Sequence, residues 1–341
     1  MLNRIIRIIG TALACALLLA GCYVRLDDPV QPKSSTEDMA IDFSTGSPLL
    51  SDDAKLTRTE PLAGLSFGVF AYLQPGTALS PGAWTSSRTP NFMYNLEVDG
   101  SDYHYSPTRY WPSPENTVSF WAYCPYDSNA SSFYSYSGGI YSQYSASSTG
   151  LPSVRFTVTD GHTDFLMSDL AESQTYASNS GTVTLNFNHT LSLIDFTVEK
   201  VDSGNDYEVI LTDISFEDIY MSGICRGGTT WEGFTGGRRS ITVLSGGTQE
   251  AIHNTRTAVT GASVMVIPQT VVGVASMKVT YTLEVRSTGA KSTNECYLDI
   301  TNNWAANGHY TYYLQITPDL PIEFSVSWTD WGDAHNYHLG S

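Results

Sequence analysis

Proton transfer, metal binding and nucleophilic attack draw on histidine, cysteine and acidic side chains, and this chain spaces them to serve none of the three. Its seven histidines are scattered. His162 and Asp164 fall in DGHTD, where the glycine marks a turn and the acids are expected to be solvated. No Gly-x-Ser-x-Gly, His-Glu-x-x-His or phosphate-cradling glycine loop occurs. Glu217 and Asp218 are neighbours in an extended run, so their carboxylates point to opposite faces and cannot share a site. Cys124 and Cys296 each alternate with apolar residues, as small buried hydrophobes do. Cys225 and Cys296 could pair in an oxidising compartment, but an odd count at irregular spacing is no disulfide framework. No Cys-x-x-Cys or histidine lies at ligand spacing. Neither catalysis, a cofactor nor a metal is expected.

One cysteine does carry chemistry. Arg4 and Arg7 form the basic n-region of a leader whose apolar stretch, over roughly 5–20, is too short to span a membrane and reads as a secretory signal. It closes on Leu19-Ala20-Gly21-Cys22, which resembles the bacterial lipobox, where the cysteine thiol accepts a lipid (a palmitate among its acyl chains) and becomes the first mature residue. The resemblance implies a signal peptide over 1–21, an anchor at Cys22 and a flexible tether over 22–38. Asp27 and Asp28 are similar to the acidic cluster that marks surface display in Bacteroidetes lipoproteins. An outer-membrane lipoprotein on the cell surface is the expected localisation. Losing Arg4 and Arg7 takes the formal charge from −17 to −19. So acidic a chain has no electrostatic footprint for nucleic acid or anionic lipid.

The elements behind these residues read as β throughout. Apolar and polar residues alternate at 39–43, 66–71, 117–124, 154–158, 182–187 and 191–198, and again at 214–220, 263–267, 277–285, 296–300 and 310–316. Glycine- and proline-rich breakers separate them, which suggests sandwiches rather than βαβ units. About 320 mature residues suffice for two domains, and the composition shift at 171–181 predicts a boundary near 180. Residues 131–150, rich in Tyr, Ser and Gly, read either as a long exposed loop or as a ligand surface offering Tyr134, Tyr136, Tyr141 and Tyr144.

From Tyr110 the chain reads YWPSPENTVSFWAYCPY. Before it comes Thr57-Arg58 ahead of Phe67-Gly68-Val69-Phe70-Ala71-Tyr72. After it come Asp164-Phe165-Leu166-Met167, Phe187-Asn188-His189-Thr190-Leu191-Ser192, Val266-Ile267-Pro268-Gln269 and Gly308-His309-Tyr310-Thr311-Tyr312. In this order the segments resemble the fimbrillin-like lipoproteins of Bacteroidetes, subunits of type V pili. The resemblance implies two tandem transthyretin-like β-sandwich domains, over 39–180 and 181–341, and a structural role for His189.

It also implies assembly: a protease cuts after an N-terminal arginine, the first strand leaves, and a strand from another subunit fills the groove by donor-strand exchange. The residues offer both parts. Met39, Ile41 and Phe43 share one face of a removable first strand, and Arg58 follows as the candidate cleavage site, with Arg25 and Arg88 as competitors. At the other end Ile322, Phe324, Val326 and Trp328 alternate with polar residues, as a donor strand or a final edge strand requires. The expected partners are other pilus subunits, the outer membrane before processing, and a possible host or bacterial surface ligand. The expected function is a stalk or tip subunit of a fimbrium. The alternative is a monomeric surface adhesin that binds glycan or host protein through the tyrosine-rich loop.

Overall fold

The structure is a computed structural model and describes residues 39–46, 65–201, 206–247, 251–317 and 320–331. It is all β apart from short helical turns such as Tyr176–Asn179. The first sheet has the order β1(Asp42–Gly46), β10(Thr182–His189), β8(Leu166–Ser168), β4(Thr117–Cys124), β2(Phe67–Gln74) and β3(Met93–Val98), with β9(Ala171–Gln174) also on β4. The second has four strands: β14(Thr257–Val266), β11(Ser192–Lys200), β17(Gly308–Ile316) and β18(Glu323–Asp330). The third runs β16(Ala290–Asp299), β15(Ser276–Val285), β12(Tyr207–Arg226), β7(Ser153–Thr157), β5(Phe133–Ser137) and β6(Ile140–Gln143), with β13(Thr230–Leu244) on the other edge of β12.

Strands β2 and β4 are buried on both faces, so their alternation sorts residues between two cores rather than between core and water. Phe67, Val69, Ala71, Val118, Phe120, Ala122 and Cys124 face a cluster inside the curled first sheet. Phe70, Tyr72, Trp121 and Tyr123 face the opposite way, into a larger cluster that continues between the second and third sheets.

Strand pairing crosses the boundary expected near residue 180 in two places. Strand β10 begins just beyond it, yet it pairs with β1 and β8 of the first sheet. Strand β7 continues the edge of β12 where β15 leaves off: β12 pairs with β15 over 207–217 and with β7 over 222–225. The hairpin from the first half thereby extends a sheet of the second.

Residues 131–150 are not a loop. Most of them build β5, β6 and the turn between, where Gly138 and Gly139 both take positive φ, which glycine tolerates without strain.

Candidate functional site

The first strand plugs the core of the first sheet. Ile41 and Phe43 are buried and Met39 is half-buried, all in the cluster within the curl. Phe43 meets Phe67, Tyr105 and Phe120 edge-on, with ring centroids 6.4, 5.5 and 5.8 Å away. On one side β1 runs parallel to β10, from the pair Asp42–Thr182 to Gly46–Asn186. On the other side it meets the segment that follows β3. Ile41 N donates to Arg109 O at 2.9 Å, Trp111 N donates to Met39 O at 2.9 Å, and Tyr105 Oη donates to Ile41 O at 2.7 Å. Trp111 also sends its indole N–H to Gly181 O at 2.9 Å, tying that segment to the start of β10. β1 thus fills a slot between β10 and 109–111.

The chain between β1 and β2 carries Arg58. Arg58, the lipidation candidate Cys22 and the competitor Arg25 lie outside the described residues.

At the other end β18 is the edge of the second sheet, antiparallel to β17 over eight pairs from Gly308–Asp330 to Gln315–Glu323. Its inward residues lose cover along the strand. Ile322, just before it, is buried, Phe324 and Val326 are half-buried against the core, and Trp328 is 60% exposed. An edge strand offers one row of unpaired backbone groups, and this one carries a poorly covered apolar face as well.

Three of the four candidate ligand tyrosines lie on one surface. Cross-strand pairing puts Tyr134, Tyr136 and Tyr141 on the outer face of the hairpin. The Arg226 guanidinium lies 4.1 Å over Tyr136, and that of Arg155 lies 5.2 Å over Tyr134. Tyr141 Oη donates to Glu232 Oε1 at 2.5 Å, and burial with that carboxylate raises the phenol above its ordinary range. The same bond, with Arg226, holds the Glu232 carboxyl below the usual carboxylate range. Tyr144 is a correction: it is 1% exposed, because its ring packs on Phe70 while its hydroxyl meets Tyr72 Oη and Gly150 O.

Asp164 is a second correction. It is not a solvated turn acid but accepts from His189 Nδ1 at 2.5 Å, and the His189 ring stacks on Trp331 at 3.9 Å. Cys124, Cys225 and Cys296 are free thiols. Cys296 is only half-buried, since β16 is an edge strand, whereas burial pushes the Cys124 and Cys225 thiols up to about 12. Among the described residues no cluster of three histidine, cysteine or acidic side chains could hold a metal. No helix among them is long and apolar enough to cross a membrane.

Sequence reasoning passed over Tyr105, and it quoted Gln269 without a role. Gln269 uses its amide as a strand would. Its Oε1 accepts from Tyr220 N at 2.8 Å and its Nε2 donates to Tyr220 O at 2.9 Å.

The fimbrillin-like family profile matches residues 57–331. The fimbrium subunit Fim1C of Phocaeicola vulgatus is 27% identical over 215 residues, which is 59% of this chain and 54% of that protein. The chain therefore spans about half the length of the curated relative that it matches. A fimbrial protein from Bacteroides vulgatus superposes with a TM-score of 0.63 at 21% identity, covering 86% of this chain and 99% of that one. A protein from Bacteroides uniformis assigned to cell adhesion does so at 0.50 and 15%, covering 86% and 98%. At such identities these likenesses speak for the fold.

Proposed function

The chain belongs to the fimbrillin-like family, and from that premise we propose that it is a structural subunit of a cell-surface pilus, exported as a lipoprotein and polymerised by protease-triggered donor-strand exchange. The observation that carries this reading is the seating of β1. A strand of five residues with one parallel neighbour, preceded by residues 39–41 with a few bonds to 105–111, holds Ile41 and Phe43 in the core of the first sheet. The link to β2 contains Arg58. Cutting there leaves β1 attached by noncovalent contacts alone. Its departure would uncover Phe67, Phe120, Val183 and Leu185 together with unpaired backbone on β10. An incoming strand with alternating large side chains restores both, and each buried side chain returns about 1.5–3 kcal/mol.

In this reading Cys22 delivers the precursor to the outer membrane, and the lipid leaves with the first strand. β18, with Ile322, Phe324, Val326 and Trp328, is the candidate donor. The test is the mature N-terminus in assembled fibres by mass spectrometry. A chain beginning at Thr59 supports the reading, and one still acylated at Cys22 within the fibre overturns it.

A second reading has its own observation. Tyr134, Tyr136 and Tyr141 with Arg155 and Arg226 form an aromatic and cationic surface on the outer face of the third sheet, suited to glycan or protein contact. It fits a tip subunit or a monomeric adhesin. Tyr136→Ala should abolish adhesion in a cell-binding assay, and retained adhesion would remove this reading.

A further inference from the structure

The body of β18 is loosely covered, but its end is not. Trp331, one residue past the strand, is 8% exposed, and its amide donates to Asn307 O at 2.6 Å. Its indole lies on the imidazole of His189, with 8° between the planes. His189 ends β10, so Trp331, in the second half, docks on a residue of the first sheet. The imidazole is itself fixed, because Nδ1–H donates to Asp164 in the segment before β8. Two residues back along the chain, Thr329 stands directly opposite His309 of β17. The His309 Nε2 is 2.7 Å from Asp195 Oδ2 on β11. Two histidine–carboxylate pairs, none of their members on β18, thus stand against Thr329 and, one residue past the strand, Trp331.

An edge strand with one neighbour opens from its end, since the terminal pairs have fewest bonds to break. Here that end is fixed again just past the strand, where Trp331 is buried three residues after the exposed Trp328. We propose that Asp164, His189 and Trp331 form a clasp, backed by the Asp195–His309 pair, that retains β18 in its own subunit. The clasp is an autoinhibitory contact against strand donation. Stacking supplies the grip on Trp331, and the bond to Asp164 sets the angle at which the imidazole meets the indole. His189 and Asp164 are positioning residues in this scheme. What release of β18 would accomplish rests on the donor-strand reading, whereas the clasp is a property of the single subunit.

Hydrogen exchange on the monomeric chain tests it, read on peptides from 322–331 with those of β4 and β11 as internal controls. Trp331→Ala and His189→Ala should quicken exchange in β18 by tenfold or more and leave β4 unchanged, while His189→Phe and Asp164→Asn give intermediate values. Exchange in β18 within twofold of wild type in all four variants would overturn the clasp. Should the alanine variants unfold throughout, the two conservative variants are judged by the same criterion. Assembly with an acceptor subunit lacking 39–58, read as denaturant-resistant oligomers, separates the two ideas. If β18 exchange quickens but oligomers do not form faster, the clasp stands and the donor-strand reading falls.

Discussion

The hydroxyl of Tyr105 donates to the backbone carbonyl of Ile41 across 2.7 Å, inside the core of the first sheet. A side chain from the segment after β3 thereby holds the plug strand on the side away from β10. Deleting the hydroxyl in Tyr105→Phe leaves that buried carbonyl without its side-chain donor. The expected loss is about 1–2 kcal/mol of stability in urea denaturation of the intact chain, with the slope unchanged. After cleavage in the 47–64 link, the same variant should release the N-terminal fragment faster on size exclusion. An unmoved midpoint would show that the Tyr105 hydroxyl adds nothing to the backbone bonds that seat β1 between β10 and 109–111.

Phe43 tests the plug from its apolar side. Its ring is buried against Phe67, Tyr105 and Phe120, so Phe43→Ala should cost about 3–5 kcal/mol in the intact chain. In a chain that starts at Thr59 the side chain is already gone, and the emptied slot should bind a hydrophobic dye. If the shortened chain bound no more dye than the full one, β1 would not be covering a groove.

How much of this was legible beforehand depended on how far apart the partners stand in sequence. The alternating runs became strands because a period of two survives any sheet order. β13 went unread, since TWEGFTGGRRSITVL breaks its pattern with glycines and pairs with β12 through several register shifts. Tyr144 looked like its exposed neighbours in a stretch of Tyr and Ser. Only the Tyr72 hydroxyl, 72 residues away, distinguishes it as core. Asp164 read as a solvated acid because its histidine lies 25 residues on, across β8 and β9. The plug residues Ile41 and Phe43 were visible because they precede everything else and alternate, whereas Tyr105 gave no local sign of reaching back to them.

The thiols make a prediction in pH. Burial raises Cys124 and Cys225 to about 12, while an unfolded thiol ionises near 8.5, so at pH 8 the folded chain holds both as unreactive thiols. The half-buried Cys296 is raised less far and sits on an edge strand. In a chain starting at Tyr23, a thiol reagent at pH 8 should label Cys296 first and the other two only with unfolding. Because the folded thiols keep their protons, the stability tied to them is complete below about pH 8.5 and declines as pH rises toward 12. Labelling of Cys225 at the rate of Cys296 in native protein would mean that the β12 ladder opens readily.

Gln269 bonds the backbone of Tyr220, a residue of β12 beyond the β15 pairing and before the β7 pairing, and its replacement should show how much that bond pair is worth. The β13 register shifts on both sides of the pairs Ile219–Arg239 and Tyr220–Arg238, so the ladder is irregular around them. The Gln269 amide bonds both the N–H and the carbonyl of Tyr220, and its Nε2 also donates to Ile267 O at 3.0 Å. Backbone bonds to Trp304 in both directions fix the Gln269 main chain, so the side chain acts from a rigid base. Gln269→Leu keeps the volume and removes every one of those side-chain bonds, for an expected loss of about 2–3 kcal/mol. Gln269→Glu should be worse, because it sets a carboxylate against the carbonyls of Tyr220 and Ile267 with no hydrogen to share. If Glu proved milder than Leu, the amide hydrogens would not be what holds the ribbon, and the Tyr220 N–H bond alone would account for it.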